Sequence, residues 1–156
     1  MEKYKLEKPF FSVVIPTYNH EAFLEKAVKS VLNQTFSDYE IIIIDNYSDD
    51  NTENLIKNLN NKNIKFIKNR NHGILAKSRN IGIEQSKSEW VAFLDSDDWW
   101  APSKLEKSVS FLEAGADVVY HDLFVARSEN QTLFWRRLKT RQLQEPVFDD
   151  LIERGN

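Results

Sequence analysis

Two β-branched runs, FFSVVIP ending at Pro16 and YEIIIID ending at Asp45, most narrow what this chain can become. Both have strand length and lack the alternation of a half-exposed strand, so they read as strands buried on both faces. Between them Leu24, Ala27, Val28, Val31 and Leu32 recur at helical spacing from Glu21 to about Gln34, one apolar stripe on a charged helix. The rhythm continues. Asp50 and Glu53 stand at capping-box spacing and predict a helix from about Asn51; Ile64 to Lys68 reads as a strand and Ile74 to about Ser86 as a helix. EWVAFL then reads as a strand, Pro102 as the first turn of a further helix, and ADVVYHD, ending at Asp122, as a fifth strand. Strands and helices alternating over short connections give an α/β class: a mostly parallel sheet with helices on both faces. From Leu123 the alternation stops. LFVARSENQTLFWRR predicts two strands around a turn at Glu129 to Gln131, and Val147 to Glu153 predicts a short helix.

At 156 residues the chain has the length of one domain with a real core. It is 41% hydrophobic and 29% charged, and no apolar run approaches the roughly 20 residues that cross a bilayer. The opening MEKYKLEKPF lacks the apolar middle of a secretory signal, and the absence of cysteine excludes disulfides and thiolate metal sites. A soluble, cytoplasmic protein is expected. The net charge of -3 offers no field for nucleic acid, and the basic run Arg136 to Arg141 reads first as a solvated face. The apolar stretches LFVA and LFW are expected to seek either a further part of the fold or a second copy of the chain, as a homo-oligomer.

Ligands of open α/β sheets bind at the carboxyl ends of the strands. Three polar groups share that address: PTYN (Pro16 to Asn19), DNYSDD (Asp45 to Asp50) and DSDD (Asp95 to Asp98). For the last, two readings stand side by side. Asp95, Asp97 and Asp98 suit the dipole of the helix that starts near Pro102, and they also suit a hard divalent cation, Mg or Mn, shared with a substrate's phosphates. A calcium loop is excluded, because its glycine and bidentate glutamate are absent after Asp95. His20, His72 and His121 read as neutral polar residues near loops. Trp99 and Trp100 read as packing residues, one of them able to border a ligand.

The segment from VVIPTYNHEAFLEKAVKSVL to IIIIDNYSDDNT, then NHGILAKSRNIGI, then WVAFLDSDDWWAPSKL resembles family 2 glycosyltransferases, in that family's order, from about Phe10 to Tyr120. The resemblance implies a GT-A, Rossmann-like fold and an inverting transfer of a sugar from a nucleoside-diphosphate donor, a UDP-sugar first, to an acceptor hydroxyl. Pro16, Thr17, Tyr18 and Asn19 match the motif that holds the base and ribose. Asp45 and Asn46 match the acidic pair near the base, with Asn46 replacing the second acid; an amide bonds a base edge through oxygen or nitrogen. Arg79 matches the segment near the phosphates, with a surface ion pair as the structural alternative. Asp95, Ser96 and Asp97 match the D-x-D motif, in which Asp95 faces the ribose and Asp97 ligates the Mn or Mg that bridges the phosphates.

The implied organisation is an extension over residues 1–9, a donor-binding domain over 10–122, and the start of an acceptor-side region over 123–156, incomplete because the family's general base lies beyond the segment matching VFDDLIERGN. Asp149, Asp150 and Glu153 read as an exposed helix face. A glycan or lipid-linked acceptor, surface glycan synthesis and a place at the inner face of the membrane follow from the same resemblance. The competing classes are a non-catalytic nucleotide or sugar-binding module and a sugar nucleotidyltransferase, the latter disfavoured by the lack of a glycine-rich loop in PTYNHEAF. Ile67, Lys68 and Asn69 stand where a receiver domain would place its phosphorylated aspartate, and no G-x-G-x-x-G is present.

Overall fold

In the computed structural model, which describes residues 8–129, 132–141 and 144, β1 (Phe11–Thr17) is buried along its whole length and β2 (Tyr39–Asp45) everywhere but Glu40. They pair in parallel from Phe11 opposite Tyr39 to Thr17 opposite Asp45. β3 (Ile64–Lys68) joins the far side of β2 and β4 (Trp90–Phe93) the far side of β1, both parallel, giving a four-stranded sheet in the order β3-β2-β1-β4. The connecting helices are α1 (Glu21–Leu32), α2 (Thr52–Leu59) and α3 (Leu75–Glu84).

This order fixes where the helices lie. From β1 to β2 to β3 the chain steps one way across the sheet; from β3 it returns past β1 to β4. Right-handed crossovers then put α1 and α2 on one face and α3 on the other. Val14, Ile42 and Ile44 line the α3 face with Ile67, Ile81 and Val91 packed against them. Val13, Ile15, Ile41 and Ile43 point the opposite way and are equally inaccessible to water, as are Leu24, Ala27, Val28 and Val31 of α1. Burial on both faces is why these strands carry unbroken apolar runs.

The helix expected near Pro102 is α4 (Lys104–Glu113), its approach fixed by one buried amide. Gln34 Nε2 donates to the carbonyls of Ser30 and Ala101 at 3.0 and 2.8 Å, while its oxygen accepts the Leu105 N–H at 2.9 Å. Trp100 is buried beside it, which makes one of the two tryptophans a packing residue, and its backbone N–H donates to Ser30 Oγ. Lys104 lies 4.3 Å over the Trp100 ring, and burial pulls its ammonium down to about 8 from an ordinary 10.5. Between those values the unfolded chain holds a proton that the folded chain has shed, so stability rises with pH across that window. Lys104→Met is expected to flatten the rise, read as the urea midpoint from neutral pH to about pH 10; an unchanged slope would refute the assignment.

Two sequence expectations are corrected. Asp50 and Glu53 do not form a capping box: Asp50 accepts the Thr52 N–H at 3.0 Å, and Glu53 pairs with Lys57 and Lys68. Nor do residues 116–122 form a fifth strand. Val118 and Tyr120 are 65% and 44% exposed, so this apolar run lacks the cover on both faces that a buried parallel strand requires. The expected pair of strands is present as β5 (Leu123–Glu129) and β6 (Thr132–Leu138), antiparallel to each other. Their connecting residues 130 and 131, and the helix expected from Val147 to Glu153, lie outside the described residues. The chain packs as two compact units, residues 1–109 and 110–156, with the boundary inside α4. The second contains the β5–β6 pair, with Asp122 accepting from the Thr140 N–H and from Arg137.

Candidate functional site

The strand order reverses at β1: the chain leaves β1 through α1 on one face and returns to β4 through α3 on the other, which makes a topological switch point between β1 and β4 at the carboxyl ends of the parallel strands. The loops after β1, β2 and β4 all emerge at this edge.

The first two loops are latched together. Asn19 sits at φ 51° and donates its N–H to Ser48 Oγ, while its side-chain oxygen accepts the Asp49 N–H at 3.0 Å. Asp50 accepts the Glu21 N–H at 2.9 Å, and Glu21 in turn accepts the backbone and side-chain N–H groups of Asn51. Burial alone would raise the Asp50 carboxyl, but the donors on Thr52 and Glu21 outweigh it and hold the group below the usual carboxylate range. Asp45, expected beside the base, is fully buried and directs both oxygens to Ser48. It shapes the loop, and Asn46 is the member of the pair that reaches the surface.

A cleft of about 240 Å³ opens there, lined by Tyr18, Asn46, Tyr47, Arg70 and His72. The Arg70 guanidinium lies 4.8 Å from the Tyr47 ring, close enough for a cation–π contact. Tyr47 and His72 hold φ of 58° and 57°, a conformation costly for non-glycine residues and one that clusters at ligand sites. Asn46 Oδ1 accepts the Asn71 N–H at 2.8 Å; Asn71 donates to Ser78 Oγ of α3, and its own oxygen accepts the N–H of Gly73, at φ 78°. One residue beyond Ser78, Arg79 pairs with Asp95 at 2.7 Å, both side chains partly exposed.

At the β4 end, Ser96 is buried and shares a 2.7 Å hydrogen bond with His20 Nδ1, so the loops after β1 and β4 touch across the switch point. Asp97 and Asp98 are exposed. Partial desolvation of the Asp98 carboxyl, then the charges of Asp97 and Asp95, push it upward even at this surface position. The negative charge that Asp97 and Asp95 place beside Asp98 also favours an added cation. Among the described residues no three His, Asp or Glu side chains converge to cage a metal. Exposed carboxylates of this kind could give one or two oxygens to Mg or Mn, with phosphates and water supplying the others, and Asp97 would then be the ligand.

Of the residues singled out in the sequence, Tyr18 and Asn46 share the cleft, Arg79 meets Asp95, and Ser96 meets His20. Pro16 and Thr17 are buried at the strand end. Tyr47, Arg70 and His72 were missed as site residues. Arg70 was findable, since it follows the carboxyl end of β3; the backbone turns at Tyr47 and His72 leave no mark in side-chain type.

The family model for glycosyl transferase family 2 matches residues 12–154. The chain belongs to that family. Among proteins similar to it, the GalNAc(5)-diNAcBac-PP-undecaprenol beta-1,3-glucosyltransferase of Campylobacter jejuni is 34% identical over 125 residues, covering 78% of this chain and 40% of the relative. The UDP-Glc:alpha-D-GlcNAc-diphosphoundecaprenol beta-1,3-glucosyltransferase WfgD of Escherichia coli is 34% identical over 101 residues, covering 65% and 40%. Crystalline S. aureus TarS 1-349 in complex with UDP-GlcNAc superposes with a TM-score of 0.64 at 32% identity, covering 69% of this chain and 32% of that one. The fold is of the GT-A type. The chain spans less than half the length of these relatives.

Proposed function

We propose that this chain is the donor-binding part of an inverting glycosyltransferase that moves a sugar from a nucleoside diphosphate, a UDP-sugar first, to an acceptor hydroxyl on a glycan or lipid-linked saccharide in surface glycan synthesis. The observation that carries this reading is the contact across the switch point: the cleft at Tyr18 and Asn46 and the acidic loop from Asp95 to Asp97 belong to one edge, joined through His20 and Ser96. A cleft bordered by two tyrosines suits a nucleobase, and an acidic loop beside it suits a diphosphate carried with a cation. TarS supports the reading, being 32% identical and crystallised with UDP-GlcNAc. The lipid-linked acceptors named for the C. jejuni and E. coli relatives support an acceptor of that class and, with it, work at a membrane surface. No helix among the described residues is long and apolar enough to cross one.

In this reading Tyr18 and Asn46 hold the base, Asp95 orients the ribose, and Arg79 turns from Asp95 toward the phosphates. Asp97 would hold Mn or Mg, which when bound supplies positive charge to the departing diphosphate. The chain's own contribution is positioning: the latched loops and the His20–Ser96 bond fix base and phosphate sites relative to each other before the donor arrives. Calorimetry with UDP, GDP and TDP, each with and without Mn, tests it. At least one diphosphate is expected to bind, and more tightly with metal; no binding, or indifference to Mn, would overturn the assignment.

A further inference from the structure

The polar groups of the cleft carry a preference that its location does not supply. Asn46 Oδ1 accepts the Asn71 N–H, and because a backbone N–H can only donate, the orientation of the amide is fixed. The oxygen is used. Nδ2 has no hydrogen-bond partner among the described residues and is the group Asn46 has left to offer a ligand. Arg70, on the same cleft, is also a donor only. Tyr18, Tyr47 and His72 can serve in either sense, and the lining contains no carboxylate. An aspartate at this position would accept the Asn71 N–H with one oxygen and present the other as an acceptor. Asparagine keeps the first contact and reverses the second.

We propose that Asn46 makes this cleft a reader of keto bases: Nδ2 donates to O4 of uracil or thymine, or to O6 of guanine. At those same positions cytosine and adenine carry the amino groups N4 and N6, which would set donor against donor and leave both unsatisfied. The inference rests on the donor-site reading and adds to it the residue and the bond by which the base is chosen.

The test compares bases within a size class, UDP against CDP and GDP against ADP, by calorimetry with Mn on the unaltered chain and on Asn46→Asp. On the unaltered chain each keto nucleotide is expected to bind about tenfold more tightly than its amino counterpart, the scale of one unmade hydrogen bond. Asn46→Asp retains an acceptor for Asn71, so the loop contact survives, and the rank is expected to disappear or reverse. CDP binding as tightly as UDP on the unaltered chain would overturn the proposal, as would a folded Asn46→Asp chain that keeps the original rank. Should the variant not fold, the unaltered chain's rank decides. If no diphosphate binds at all, the donor-site reading fails and takes this inference with it; if they bind without regard to base, the inference alone fails.

Discussion

Asp97→Ala is expected to lower the Mn-dependent affinity of this chain for UDP by about 10- to 100-fold, the worth of one charge-assisted contact, while changing metal-free affinity little. The asymmetry follows from the acidic loop. Asp95 is engaged with Arg79 and Ser96 with His20, whereas Asp97 is exposed at the loop's end. With no three-residue cage among the described residues, removing that carboxylate takes away a large share of what the protein can give a cation. Asp98→Ala is the control: Asp98 is the acid whose ionisation its neighbours already oppose, so its loss should cost less. Parallel titrations with and without Mn separate the effects. Equal loss in both buffers from Asp97→Ala would mean that the residue touches the nucleotide rather than a metal.

Gly82→Val is expected to cost about 3 kcal/mol of stability, the upper end for overpacking a core, and to lower the thermal midpoint by roughly 6–12 °C. Gly82 lies within α3 where the helix presses on the sheet, and a Cβ there would sit 2.2 Å from Val14 Cγ1 and 2.8 Å from Cγ2. Val14 is fully buried among Ile42 and Ile44, so the overlap must be relieved by moving the helix. That helix carries Ser78 and Arg79, so the site should loosen as well. Pairing the change with Val14→Ala, which clears the clashing methyls, should recover part of the loss; strict additivity of the two single costs would show that the clash is not the cause.

The sheet was legible because burial on both faces writes itself into a sequence as unbroken β-branched runs, and the bounds of β3 could be read to the residue. ADVVYHD failed for the same reason that FFSVVIP succeeded: an apolar run states that a strand could be buried, not that anything covers it. At the site, PTYN and DSDD were legible from their positions after strands. The Asn46–Asn71 bond was not, since it joins loops 25 residues apart through a backbone N–H that every residue but proline possesses. Sequence alone left the amide free to use either end; the fold uses one and leaves the other.

The hydrogen bonds that tie Asn19 and Glu21 to Ser48, Asp49, Asp50 and Asn51 have a thermodynamic consequence for anything that binds beside them. Those loops lose their conformational freedom when the chain folds, not when a ligand arrives. The entropy of ordering is thus charged to folding, and association at the cleft begins from a surface already shaped for it. Severing the latch at Glu21 or Asp50 would shift that cost to binding, so that warming would weaken the complex more steeply even where every group touching the ligand is unchanged.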